Sequence, residues 1–177
     1  MPALKRALCT VLVMLLTGCA APRVENYGDE SPVLDLREYF DGRVEAWGMF
    51  QDRSGRVVKR FTVAISGSWR GNVGTLEEDF VYSDGTTQRR VWTITRADDH
   101  SYTGYADDVI GEASGQARGN ALRWRYVLAL DVDGKTYHVD FDDWMYLVDE
   151  KVLLNRSEMR KFGFRLGEVT LAFRKKD

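Results

Sequence analysis

Residues 122–130 read LRWRYVLAL, and their alternation carries the fold. Leu122, Trp124, Tyr126, Leu128 and Leu130 fall on one side of an extended chain, with Arg123, Arg125, Val127 and Ala129 on the other. A period of two marks a strand with one face in a core and the other toward water. Val57, Phe61, Val63 and Ile65 repeat the pattern, as do Tyr137, Val139 and Phe141 against His138, Asp140 and Asp142.

Turn residues separate these runs at short intervals: Asp52-Arg53-Ser54-Gly55, Gly71-Asn72, Asp84-Gly85, Asp98-Asp99, Gly119-Asn120, Asp133-Gly134 and Asp149-Glu150. Such spacing describes strands joined by hairpins. The prolines, Pro2, Pro22 and Pro32, all precede Val33, so every later residue has a backbone N–H to give to a ladder. Only Arg156–Lys161 (RSEMRK), with Ser157 as a weak cap, has helical character. The expectation is all-β: an antiparallel up-and-down β-barrel of about 9–10 strands over residues 35–177, with at most one short helix, closed so that no edge is exposed.

At 177 residues and 44% hydrophobic content the chain has the size of one domain and too much apolar material to remain disordered. The formal charge of −2, without a run of five like charges, argues against nucleic-acid binding through a basic face.

The beginning of the chain reads differently. Lys5 and Arg6 precede the uncharged run Ala7–Leu16, then Thr17, Gly18 and Cys19, the layout of an export signal over residues 1–18. Ten apolar residues rise about 15 Å as a helix, too little to span a bilayer. Leu16-Thr17-Gly18-Cys19 resembles the lipobox of bacterial lipoproteins, which implies acylation of Cys19 and a lipidated tether over residues 19–34. Ala20, where sorted lipoproteins can carry Asp, implies the outer membrane of a Gram-negative envelope, with the domain facing the periplasm. Removal of Cys9 and acylation of Cys19 leave no thiol pair for a disulfide. The expected partner is the membrane, through Cys19, and the domain is expected to be a monomer.

Three groups of residues merit attention for chemistry. Glu78 shares an apolar face with Leu76, Phe80 and Tyr82, and Arg90 shares one with Trp92 and Ile94. Joined by the odd loop Ser83-Asp84-Gly85, these faces meet, and Glu78 and Arg90 become near diagonal neighbours pointing inward. Charges buried in this way pair with each other or with a ligand head group. His138, Asp140 and Asp142 share the opposite face of their strand; with no second His- or Cys-bearing strand and His100 in a turn, they read as a solvated surface and not a metal site. Asp131-Val132-Asp133-Gly134-Lys135 reads as a hairpin and not a calcium loop. In Ala106–Asn120, the small residues Val109, Gly111, Ala113, Gly115 and Ala117 fall on one strand face, a wall that either admits bulky side chains from opposite or leaves a cavity. A phosphate cradle would need a helix after these glycines, and none follows. Without a Gly-x-Ser-x-Gly elbow, and with two His residues, no catalytic residue, metal or cofactor is assigned.

Tyr39-Phe40-Asp41-Gly42, Asp84-Gly85 with Arg90 and Trp92, Ala106–Gly111, Gly119–Leu122, Asp142-Asp143-Trp144-Met145 and Asn155-Arg156 together resemble a family of proteobacterial lipoproteins, domain of unknown function 3833. The resemblance covers about residues 35–175 and implies a lipocalin-like or calycin-like barrel that accompanies enzymes modifying membrane fatty acids. Gly67-Ser68-Trp69 has the lipocalin Gly-x-Trp spacing, but deeper in the chain than the lipocalin opening motif. The expected function is binding of a fatty-acyl or other amphipathic ligand, with Glu78, Arg90, Trp92, Trp124, Arg125, Tyr126, Asp143 and Trp144 as the ligand-binding set. The alternatives are a lipid-modifying enzyme using Glu78 or Asp143 as general acid or base at the cavity mouth, and a structural envelope lipoprotein with a filled core.

Overall fold

A computed structural model describes residues 21–132 and 134–177. The expected signal and Cys19 lie outside the described residues. Ten strands follow one another: β1 (Gly42–Asp52), β2 (Val57–Arg70), β3 (Val73–Tyr82), β4 (Thr87–Arg96), β5 (Ser101–Tyr105), β6 (Ala113–Arg118), β7 (Ala121–Val132), β8 (Lys135–Leu147), β9 (Val152–Lys161) and β10 (Phe164–Lys175). Each pairs antiparallel with its sequence neighbour, and β1 closes on β10, so the sheet is an up-and-down barrel. Closure gives every strand two partners and leaves no edge to template association.

Strand parity holds on most of the wall. Leu122, Trp124 and Leu128 are buried while Arg125 is exposed, and Val139, Phe141 and Asp143 are buried while His138 and Asp140 are exposed. The surface reading of the His138, Asp140 and Asp142 face therefore stands. The expected helix at Arg156–Lys161 is absent: the segment is the second half of β9, with Ser157 and Met159 facing inward. Its ladder with β8 and β10 outweighs the local helical preference of a segment of only six residues, too short to hold a helix alone.

The helix lies instead at Leu36–Phe40 (α1), capped by Asp35, whose carboxylate accepts from the Arg37 amide at 2.8 Å. It plugs one end of the barrel with Leu36, Tyr39 and Phe40, all buried. Tyr39 Oη donates to the Lys151 carbonyl at 2.9 Å, and Lys175 Nζ donates to the carbonyls of Tyr39 and Asp41 at 3.1 Å. Gly67 makes room for this plug, since a Cβ there would lie 1.7 Å from the Phe40 carbonyl oxygen. The Gly-x-Trp pair of β2 thus serves the closed end, where Trp69 borders a surface depression with Arg37 and Glu38 of α1.

Candidate functional site

Trp124 decides how the interior is divided. Its indole lies so flat against β5 and β6 that a Cβ on Gly115 would come within 2.4 Å of the ring and one on Gly104 within 2.7 Å. The small-residue wall is therefore filled. Away from it the barrel holds a cavity of about 750 Å³, bounded by β1, β2, β3, β4, β7, β8, β9 and β10. Both alternatives left open by the small residues are realised, on opposite sides of one barrel.

The cavity runs from the α1 plug, where Leu36, Phe40 and Phe173 close it, to the opposite end, where Lys59, Tyr82, Gln88, Asp108 and Val132 border it. Its walls are apolar and aromatic: Phe61 contacts Phe80 and Tyr82, and Trp92 meets Trp124 and Tyr126 edge to face. That lining, with a few converging polar groups, is the general form of a small-molecule pocket.

Two polar clusters enter this apolar space. On one wall Glu78 and Arg90 stand directly opposite each other in the β3–β4 ladder, a step closer than the expected diagonal, with 3.8 Å between Nη1 and Oε2. The joining loop is the expected Ser83-Asp84-Gly85, with Gly85 at φ 83°. Arg90 makes its closest contacts elsewhere. Its Nε donates to both Asp108 oxygens at 2.9 and 3.0 Å, and its Nη2 to Oδ2 at 2.7 Å. Gln88 extends the cluster, donating to Asp108 at 3.3 Å while accepting from Tyr82 Oη at 2.7 Å. On the opposite wall Asp143 accepts from Ser157 Oγ, its direct partner across β8 and β9. Asn155 lies one step deeper along β9.

Burial sets the protonation of these groups. Desolvation pushes the Glu78 carboxyl up to about 7, a nearby Asp108 adds to the rise, and Arg90 only partly opposes it. Asp143 is also pushed up to about 7 by desolvation, against the hydrogen bond from Ser157. Burial likewise raises the Tyr126 hydroxyl well above its usual range, helped by the charge of Asp143. For Arg90, burial disfavours the charge, but the Asp108 hydrogen bonds and the Glu78 charge outweigh it.

Glu78, Arg90, Trp92, Trp124, Tyr126 and Asp143 all line the cavity, as expected. Arg125 and Trp144 do not. Each is one residue out of phase with an inward neighbour, so both project from the outer face of the barrel. Arg125 is exposed, and Trp144 stacks on Tyr146 and packs against Tyr27 of the N-terminal segment. Asp108 was not among the expected residues. It comes from the irregular connection between β5 and β6, where strand parity gives no orientation, although it lies in the Ala106–Gly111 stretch of the family resemblance. Ser157 was hidden by the helical reading of its segment.

Among solved structures, that of an S-type phycobiliprotein lyase, CPES, from Guillardia theta is similar in fold. The TM-score is 0.58 at 5% identity, over 89% of this chain and 99% of the lyase. No curated protein matches the sequence. The family described as "Protein of unknown function (DUF3833)" matches residues 13–175.

Proposed function

We propose, for a chain that belongs to the DUF3833 family, that the barrel holds one amphipathic ligand with a fatty-acyl or comparable apolar chain. The cavity carries this reading: about 750 Å³, aromatic along its walls, plugged by α1 at one end and bordered by polar side chains at the other. Each methylene drawn from water into such a space contributes about 0.8 kcal/mol. About ten of them give roughly 8 kcal/mol, comparable with the cost of about 4–15 kcal/mol for immobilising a ligand. The chain supplies the affinity, and the polar clusters select the head group. A solid-core structural protein is disfavoured by the same volume.

The fold likeness to the lyase supports a barrel able to host a small molecule. Its own substrate is not carried over at 5% identity. We further propose that Cys19 is acylated and holds the barrel at the periplasmic face of the outer membrane, where membrane lipids subject to fatty-acid modification are within reach. The support is the lipobox-like spacing of Leu16 to Cys19.

Mass spectrometry of organic extracts from the purified protein tests the first proposal. The expected result is a recurrent species with an acyl-length chain; a barrel that yields none and displaces no apolar probe overturns it. For the anchor, Cys19→Ala is expected to move the protein from the membrane to the soluble fraction. Unchanged membrane association would reject it.

A second reading, a lipid-modifying enzyme, is favoured by one observation. Glu78 and Asp143, on opposite walls of the cavity, are both pushed to about 7, where a carboxyl can act as general acid or base. Glu78→Gln would then abolish turnover of a lipid substrate while ligand binding survives.

A further inference from the structure

The charges that line the cavity are unequal in number and in freedom. Lys59 and Arg90 are its cations; Glu78, Asp108, Asp131 and Asp143 are its acids. Both cations are engaged. Lys59 Nζ lies 3.0 Å from Asp84 and 4.3 Å from the centre of the Tyr82 ring. Arg90 gives Nε and Nη2 to Asp108 at 2.7–3.0 Å, holds Glu78 at 3.8 Å through Nη1, and rests its guanidinium over Phe80 at 5.4 Å. Asp143, by contrast, accepts from Ser157 with Tyr126 beside it, and among the described residues no cation lies within ion-pair distance of it.

This arrangement leaves the interior arginine without a free face for an anionic head group. A free fatty-acid carboxylate would have to displace Asp108 from Arg90. That exchanges one charge-assisted pair for another, and it leaves the Asp108 carboxylate beside Glu78 in a half-dry mouth. A head group that donates hydrogen bonds and bears no negative charge meets no such obstacle. The acids of the cavity accept from it, and Arg90 keeps its partner. Resting on the ligand-binding reading above, we propose that the cavity selects a long-chain ligand whose head is an alcohol or amine, received at the level of Glu78 and Asp143, and rejects the free fatty acid.

The two admissible heads separate by pH. Glu78 is faced by Arg90 and Trp92 of β4, Asp108 of the β5–β6 connection and Tyr126 of β7. Asp143 is faced by Ser157 of β9, Tyr126 of β7, Arg90 of β4 and the adjacent Asp142. As the two carboxyls ionise on passing neutrality, an ammonium gains attraction while a hydroxyl does not.

The experiment displaces the neutral dye N-phenyl-naphthylamine from the purified full chain with dodecanol, dodecylamine and dodecanoate, probes of equal chain length. At neutral pH, dodecanol or dodecylamine is expected to bind at least about tenfold tighter than dodecanoate. Dodecylamine is expected to tighten as pH rises through about 7, with dodecanol nearly flat. Asp108→Asn, which frees Arg90, is expected to improve dodecanoate about tenfold relative to dodecanol. Dodecanoate binding as tightly as the better of dodecanol and dodecylamine, or failing to gain relative to dodecanol in Asp108→Asn, overturns the head-group assignment while ligand binding stands. If none of the three probes displaces the dye, the ligand-binding reading itself falls.

Discussion

Asp108 closes on Arg90 through three hydrogen bonds of 2.7–3.0 Å, reaching from the irregular connection between β5 and β6 into the mouth of the barrel. The pair ties a loop to a strand and satisfies a guanidinium that also faces Glu78 at 3.8 Å and rests over the Phe80 ring. Removing one member of a buried pair leaves the other charged and unpartnered, which costs about 3–5 kcal/mol. Arg90→Met is therefore expected to lower stability in urea by about 3 kcal/mol at neutral pH. Part of the loss should be recovered in mild acid, as the orphaned carboxyls take up protons. A loss independent of pH would place the cost in packing instead of charge.

The raised carboxyls make the wild-type barrel itself pH-sensitive. Burial lifts Glu78 from an ordinary 4.5 and Asp143 from an ordinary 3.8, both to about 7. Because folding raises these values, the native state holds protons that the unfolded chain has released. Their contribution is fully present below about pH 4 and is lost as pH climbs through about 7. Each group is worth on the order of 3 kcal/mol over that range. Asp52 at the end of β1, held at about 2 by hydrogen bonds from Ser54, acts in the opposite sense, and only at lower pH. Urea midpoints are thus expected to fall between about pH 4 and pH 7 and to level off above, and Asp143→Asn or Glu78→Gln to flatten that slope. Equal slopes in wild type and both variants would contradict the assignment.

What could be read in advance follows from which residues obey a simple period. In β7 the aromatics and arginines alternate without interruption, so the strand, its inner face and the inward placement of Trp124 and Tyr126 were all legible. The same parity turns Arg125 and Trp144 outward; they had been assigned for their chemistry against their phase. β9 concealed itself because its inward positions include Asn155 and Ser157, polar residues that blur the alternation. The plug α1 is only five residues long, too short for a period, although Asp35 as cap and Leu36, Tyr39 and Phe40 at helical spacing were its signals. Asp108 had no periodic signal, since its orientation comes from the bends of a loop.

The contact of Trp124 with the small wall predicts a steric limit on β6. Gly115 has no positive φ to protect, so an alanine there is tolerated by the backbone but drives its methyl into the indole. Overpacking of this kind costs about 1–3 kcal/mol. Gly115→Ala is expected to destabilise by about 2 kcal/mol and to alter the near-UV circular dichroism of the tryptophans, which report ring packing. A neutral substitution with an unchanged spectrum would mean that the indole does not lie on β6.

The hairpin between β9 and β10 turns on Phe162 and Gly163, with φ of 51° and 80°. Two positive φ values between the paired Lys161 and Phe164 are the signature of a type I′ turn, whose favoured sequence is Asn-Gly. A bulky residue in the left-handed region pays about 1–2 kcal/mol. Phe162 recovers little of it, being 84% exposed, with Lys161 Nζ 4.9 Å from its ring centre. An exposed cation–π contact returns about 0.5 kcal/mol. Phe162→Asn is therefore expected to stabilise the barrel by about 1 kcal/mol, raising Tm by about 2–4 °C. A drop in Tm for that variant would show that the ring packs on the barrel more strongly than its exposure allows, and the strain argument would fail.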